Sequence, residues 1–305
     1  MKNYFFIRGA VILLAILTVA CNNYVALVSP TDPSVLLPPG QVFLPNTPIP
    51  IDSTKSDVSE TDTIALPDGV ILILPKLCVA GKGSDIPCNC VVDVHLKLLT
   101  SKKEILLFGK PTISATELLE TGGQVMLTIL YNGDTLQMLE GKNFTLKIPT
   151  KRTKTDHTKM RFYKEDAQTT WTELGALASS TPEYYTIISN QLDTWLSPAY
   201  VYSEAASNIR ISLQTSGEGP ALSQVRLFVI PSNIHSVVST VQINGVFIPA
   251  SHLPLDEEAI LIALAKTGET LWLGRQNISL QSTLQVPMEF TSVTQEELDE
   301  ILSQL

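Results

Sequence analysis

Apolar and polar residues alternate along most of this chain, and little of it repeats at helical spacing. In Val91 to Leu99, Val92, Val94 and Leu96 share one face while Asp93, His95 and Lys97 take the other. That period of two marks a half-buried strand. Gly69 to Leu74 is a fully apolar strand candidate and Val125 to Tyr131 a second long one, and Ile105 to Phe108, Thr135 to Met138, Phe144 to Ile148, Met160 to Tyr163, Trp171 to Leu174 and Tyr184 to Ser189 are shorter ones. Asn132-Gly133 between two such runs predicts a hairpin, because a type I′ turn needs positive φ at both central residues. The one helical hint in this stretch is Ala115 to Glu120, a turn at most. Gly122-Gly123 precedes a strand rather than a helix, so it reads as a tight loop or bulge and not as a phosphate cradle.

A second set of strands follows from about residue 206. Ile209 to Leu213 alternates, Val225 to Ile230 ends at Pro231, and Val238 to Ile243 meets Val246 to Ile248 across Asn244-Gly245. Ile260 to Ala265 and Thr270 to Leu273 flank Thr267-Gly268, and Leu284 to Phe290 closes the set. The pattern predicts an all-β chain of two tandem antiparallel β-sandwich domains, residues 63–203 and a small Greek-key, transthyretin-like sandwich over 206–290. A short C-terminal helix over 294–305 follows. Thr294 and Glu297 form a capping box, with Leu298, Ile301, Leu302 and Leu305 on one face, which predicts packing back onto the second sandwich.

The start of the chain obeys different rules. Lys2 and Arg8 precede an apolar run from Ala10 to Ala20, too short to span a bilayer and of the length of a secretory signal. Leu17-Thr18-Val19-Ala20-Cys21 looks like a bacterial lipobox, with residues 1–20 as the cleaved signal and Cys21 diacylated. Thr18 departs from the usual Leu. Residues 21–62 then carry seven prolines from Pro30 to Pro50 among Ser, Thr, Asp and Asn. They read as a disordered, polyproline-like tether that reaches up to roughly 100 Å when fully extended. Membrane attachment through the lipid on Cys21 is the expected partner interaction. Asn22, where some lipoproteins carry a retaining aspartate, favours the outer membrane, periplasmic or surface-facing.

Cleavage before Cys21 leaves 285 of 305 residues and takes the net charge from −9 to −11. That acidity excludes a general attraction for nucleic acid. Three cysteines remain: Cys78, Cys88 and Cys90. An exported chain makes a disulfide the default, with one thiol left over. Cys90 shares the inward face of Val92 and Val94, so Cys78–Cys88 is the preferred pair. A zinc site of the three cysteines with His95 fails on spacing and on the face His95 occupies.

Catalytic patterns are missing. His95, His157, His235 and His252 form no metalloprotease spacing, and no Gly-x-Ser-x-Gly elbow occurs. Asp256-Glu257-Glu258 and Glu296-Glu297 read as a turn and a helix cap. The expectation is no enzyme, no metal and no cofactor. Trp171, Trp195 and Trp272 are core residues in this reading, and stacking platforms in the alternative, a glycan-binding accessory protein.

Pro111-Thr112, Leu118-Leu119-Glu120-Thr121-Gly122-Gly123, Gly141-Lys142, Ile148-Pro149, Met160 and Trp171 form an ordered series. It resembles a family of Bacteroidota lipoproteins whose leading domain is similar to the ZU5 β-sandwich. A second sandwich similar to carboxypeptidase regulatory-like domains follows there, which Pro231, Asn244-Gly245 and Pro254 fit. The family's Gly-Trp-x-Asn-x-Asp-like segment is reduced here to Leu192-Asp193-Thr194-Trp195-Leu196. The resemblance implies a location and an architecture, and no catalytic residues. It leaves open whether the partner is an envelope protein or a glycan.

One stretch opposes the acidic background. Lys142, Lys147, Lys151, Arg152, Lys154, Lys159, Arg161 and Lys164 face only Asp156 in charge. If Phe144–Ile148 pairs with Met160–Tyr163, Lys151 to Lys159 is an exposed basic loop for an anionic glycan or headgroup. The competing and preferred role is a solvated tip that guards an edge strand. Replacing Lys151, Arg152 and Lys154 with Glu abolishes salt-sensitive retention on an anionic polysaccharide column if the loop is a binding element; unchanged retention removes it.

Overall fold

A computed structural model describes residues 51–150, 156–166, 170–202 and 208–305. The chain is all-β and forms β-sandwiches, with a short C-terminal helix. In the first sandwich a ten-stranded sheet faces a five-stranded one. The main path of the larger sheet runs Asp52–Asp57, Val91–Leu99, Gln124–Tyr131, Trp195–Val201, Arg161–Glu165, Trp171–Ala176. The smaller runs Ser179–Ser180, Tyr184–Ser189, Phe144–Pro149, Ile71–Leu74, Asp62–Ala65. Val92, Val94 and Leu96 meet Leu72, Leu74, Leu146 and Ile187 in the core between them, as the alternation requires.

The second sheet has eight strands in the order Thr283–Met288, Arg210–Thr215, Val246–Pro249, Val238–Ile243, Arg226–Pro231, Glu258–Thr267, Thr270–Ser279, Phe290–Val293. Its two end strands are consecutive in the chain, with only Glu289 between them, so the sheet is nearly closed. Ile211, Leu213, Leu227, Val229, Phe247, Leu261 and Val286 fill it. One pair departs from the antiparallel expectation: Arg210–Thr215 lies parallel to Thr283–Met288.

Turn chemistry sets the hairpins where it was expected. Asn132 and Gly133 have φ of 52° and 89°, Asn244 and Gly245 of 52° and 80°. The longest hairpin pairs Glu258–Thr267 with Thr270–Ser279 residue for residue around Gly268.

Four local expectations are corrected. Asp52–Asp57, assigned to the tether by its polarity, is an edge strand paired with Val91–Leu96. Its backbone makes the ladder while its side chains stay wet, except Ser56, which is buried and donates to Asp62 at 2.8 Å. Ile105 to Phe108 is not a strand, because Lys102–Leu107 is a helix (α1). Ser101 accepts from the Glu104 N–H, and Glu104 accepts from the Ser101 N–H at 2.9 Å, a full capping box. Ala115 to Glu120 is not helical: Ile113–Ser114 and Glu117–Thr121 form a tight hairpin with Ala115 at φ 50°. Finally, Phe144–Pro149 and Arg161–Glu165 lie in different sheets and do not pair, so the hairpin expected to carry the basic loop is not formed.

The C-terminal helix Gln295–Leu302 (α2) has the predicted capping box, with Thr294 accepting from the Glu297 N–H at 3.2 Å. Leu298 and Leu302 are fully buried. They do not sit inside the second sandwich. They join a third core that lies between the sandwiches, with Leu99, Ile105, Leu106, Trp171 and Trp195 from one side and Ile230, Ile262, Leu264, Leu271 and Leu273 from the other.

Gly122 shows how tightly the first sandwich closes. A Cβ there would lie 2.6 Å from Tyr185 Cε2 and 3.1 Å from Pro198 Cγ. Gly122→Ala therefore destabilises by about 1–3 kcal/mol. Gly81→Ala, where nothing lies within 4 Å, stays within about 0.5 kcal/mol. Urea midpoints of the two variants test the contrast.

Candidate functional site

The tryptophans proposed as stacking platforms are mostly interior. Trp171 is 2% exposed and its indole N–H donates to the Pro111 carbonyl at 2.9 Å. Trp195 is 6% exposed and belongs to the core between the sandwiches. Neither ring offers a free face to a sugar, which corrects the stacking role for both. Trp272 is half-buried against the second sandwich's core, and its Nε1 is buried without a hydrogen-bond partner among the described residues.

Around Trp195 the structure assembles a polar group that sequence spacing did not reveal. Lys110 Nζ donates to Glu165 Oε1 and Oε2 at 2.6 and 2.8 Å, and lies 5.4 Å from the Trp195 ring centroid. The two side chains are 17% and 10% exposed, so the pair is screened far less than a surface ion pair. Gln124, fully buried, donates from Nε2 to the Lys110 carbonyl at 2.9 Å. Nearby Tyr163 is buried, and its phenol donates to Glu173 Oε2 at 3.4 Å. Burial first, and the Glu173 charge second, push its pKa far above the ordinary phenol range. This arrangement fixes Arg161–Glu165 against the chain that leaves α1.

A ladder of hydrogen bonds ties the Ile113–Thr121 hairpin to the second sandwich. The Thr112 N–H donates to Val237 O at 2.9 Å, and the Thr121 N–H to His235 O at 3.0 Å. The His252 N–H donates to Thr116 O at 2.8 Å. Thr112 and Ser236 hydroxyls lie 2.6 Å apart, both buried. His235 Nδ1 meets Thr121 O at 2.8 Å, which occupies that histidine structurally. From α1, Lys102 Nζ donates to Pro231 O at 2.6 Å and Lys103 pairs with Asp299 of α2 at 2.7 Å.

The cysteine pairing differs from the preferred one. Cys88 bonds to Cys90, two residues on, and Cys78 is a buried free thiol. Cys90 still packs against the first core, as its position in the alternation required. No cluster of three or more His, Cys, Asp or Glu able to hold a metal occurs among the described residues. Cys21, Lys151, Arg152 and Lys154 lie outside the described residues. Lys159 is exposed, with Nζ 5.7 Å from the Tyr200 ring. No helix among the described residues is long and apolar enough to cross a membrane.

Glu165→Gln leaves the Lys110 ammonium half-sequestered without its counter-charge, and lowers stability by about 1–3 kcal/mol. Lys110→Met with Glu165→Leu recovers most of that loss, because the exchange removes both charges together. Urea unfolding of the single and double variants measures it. Neither protein-family models nor curated proteins give a match to this chain.

Proposed function

We propose that this protein is a non-enzymatic lipoprotein of a bacterial cell envelope, held at the outer membrane by acyl chains on Cys21 and acting as a tethered binding or structural module. The observation that carries this reading is the sequence Leu17 to Cys21 at the end of an uncharged apolar run behind Lys2 and Arg8. A proline-rich spacer follows it, which fits a folded part that must stand clear of a lipid surface. The first sandwich is proposed as ZU5-like and the second as carboxypeptidase regulatory-like, consistent with the all-β architecture.

The two sandwiches share a buried core and a hydrogen-bonded seam, which suits a rigid spacer or platform better than a pair of closing jaws. Burial of Trp171 and Trp195 supports the structural reading over glycan stacking. The partner is then an envelope protein or a glycan that meets loops or sheet edges. Cells fed an alkyne analogue of palmitate incorporate label into the wild-type chain and none into Cys21→Ser, which accumulates as the unprocessed precursor. A wild-type chain that stays unlabelled overturns the proposal.

A further inference from the structure

Three cysteines converge at one end of the first sandwich. Cys78 is fully buried, and Cys88 and Cys90 pack against the core to which it belongs. The Cys88 N–H donates to Val79 O at 2.8 Å, so the bridge begins beside the residue that follows Cys78. On the other side, Val58 donates its N–H to Cys90 O at 3.2 Å and accepts the Leu77 N–H at 2.7 Å. Cys90 and Leu77 thus flank one residue. The directly bonded backbones of Val79 and Cys88 lie ~4.8 Å apart, whereas Val58 separates Leu77 from Cys90. Of the two bridge cysteines, Cys88 is therefore the one within the ~4.4–6.8 Å Cα span of a disulfide to Cys78. A Cys78–Cys88 bond requires side-chain rotation and a small shift of the chain around residues 82–90, leaving the strand ladders intact. That chain is largely solvent-facing, with Ile86 77% exposed.

We propose that Cys78, Cys88 and Cys90 form an internal thiol–disulfide exchange site that moves the free thiol from fully buried Cys78 to half-buried Cys90. The Cys78 thiolate attacks Cys88 Sγ, the Cys88–Cys90 bond breaks, a Cys78–Cys88 bond forms, and Cys90 leaves as a thiolate. Cys90 takes up the proton that Cys78 gave away. One disulfide and one thiol are present before and after, so no external oxidant or reductant enters. Burial raises the Cys78 pKa above the ordinary thiol range, while its own backbone and the Lys142 charge act weakly in the opposite direction. The resting form therefore keeps a protonated, sheltered thiol. The exchanged form places a thiol on half-buried Cys90, between exposed Val91 and the surface chain at Asn89. That is a modification site for an electrophile, or for the exposed disulfide of a second protein.

Trypsin cuts after Lys76, Lys82 and Lys97, which separates the two isomers by mass. In the resting form the bridge lies within the peptide 83–97, and the peptide 77–82 is free. In the exchanged form the two peptides are cross-linked. The folded full-length mature protein is incubated with iodoacetamide at about pH 8.5, near the ordinary thiol pKa, then denatured in acid before digestion. The expected product is the cross-linked pair carrying alkyl on Cys90. Alkyl found only on 77–82, or an internal 83–97 bridge that persists until the chain unfolds, overturns the proposal. Cys90→Ser supplies a second arm: air oxidation of the folded variant joins Cys78 to Cys88. A variant that folds, by circular dichroism and a cooperative melt, yet keeps two free thiols also overturns it.

Discussion

Apolar surface buried on both faces of the same strands is the constraint on which the rest of the molecule depends. Glu258–Thr267 sends Ala259, Leu261, Ala263 and Ala265 into its own sandwich, and Ile262 and Leu264 into the core shared with the other. Arg226–Pro231 divides in the same way, with Leu227 and Val229 inward and Ile230 outward. Each leucine, isoleucine or valine among them contributes on the order of 1.5–3 kcal/mol when removed from water. Separating the sandwiches would expose these residues together with Trp195, Leu298 and Leu302. It would also strand the carbonyls of Val237 and His235, whose partners lie on the hairpin Ile113–Thr121. Buried backbone groups without partners cost as much as lost hydrogen bonds. The two sandwiches therefore act as one compact unit.

Helix α1 is the hinge of this arrangement in a packing sense. It is only six residues long and would not persist alone. Ile105 and Leu106 hold it in the shared core, Lys102 caps carbonyls on one sandwich, and Lys103 pairs with α2. The Lys110–Glu165 pair continues the same line beneath Trp195. A charged pair placed there adds little net stability compared with apolar residues of the same size.

Much of this was legible in the chain. Asn-Gly dipeptides at 132–133 and 244–245 located their hairpins because few residue pairs tolerate two positive φ values in succession. The alternation of Val91–Leu99 gave its faces directly, and Thr294 with Glu297 announced α2. The same box, Ser101 with Glu104, was equally present before α1 and was outweighed by the β-like run Ile105 to Phe108. Asp52–Asp57 was hidden for the opposite reason: an edge strand stabilised by its backbone needs no apolar side chains. The uninterrupted run Ile260 to Ala265 signalled a strand, and its lack of alternation was the one trace of a second buried face. The partners across that face, Lys110 with Glu165 or Thr112 with Ser236, are too far apart in sequence for spacing to join them. The disulfide followed reach rather than separation, since Cys88 and Cys90 are already neighbours on one turn of chain.

The parallel pairing of Arg210–Thr215 with Thr283–Met288 has a consequence for how the second sandwich comes into being. Its three hairpins, at residues 226–243, 238–249 and 258–279, need only local contacts and form on roughly the microsecond scale of isolated hairpins. The parallel pair joins segments on either side of all of them, and must pay the loop-closure entropy of everything between. Assembly is thus ordered by topology: the hairpins form locally, while the pairing of Arg226–Pro231 with Glu258–Thr267 and the parallel seam need distant segments, at a pace set by contact order rather than by stability.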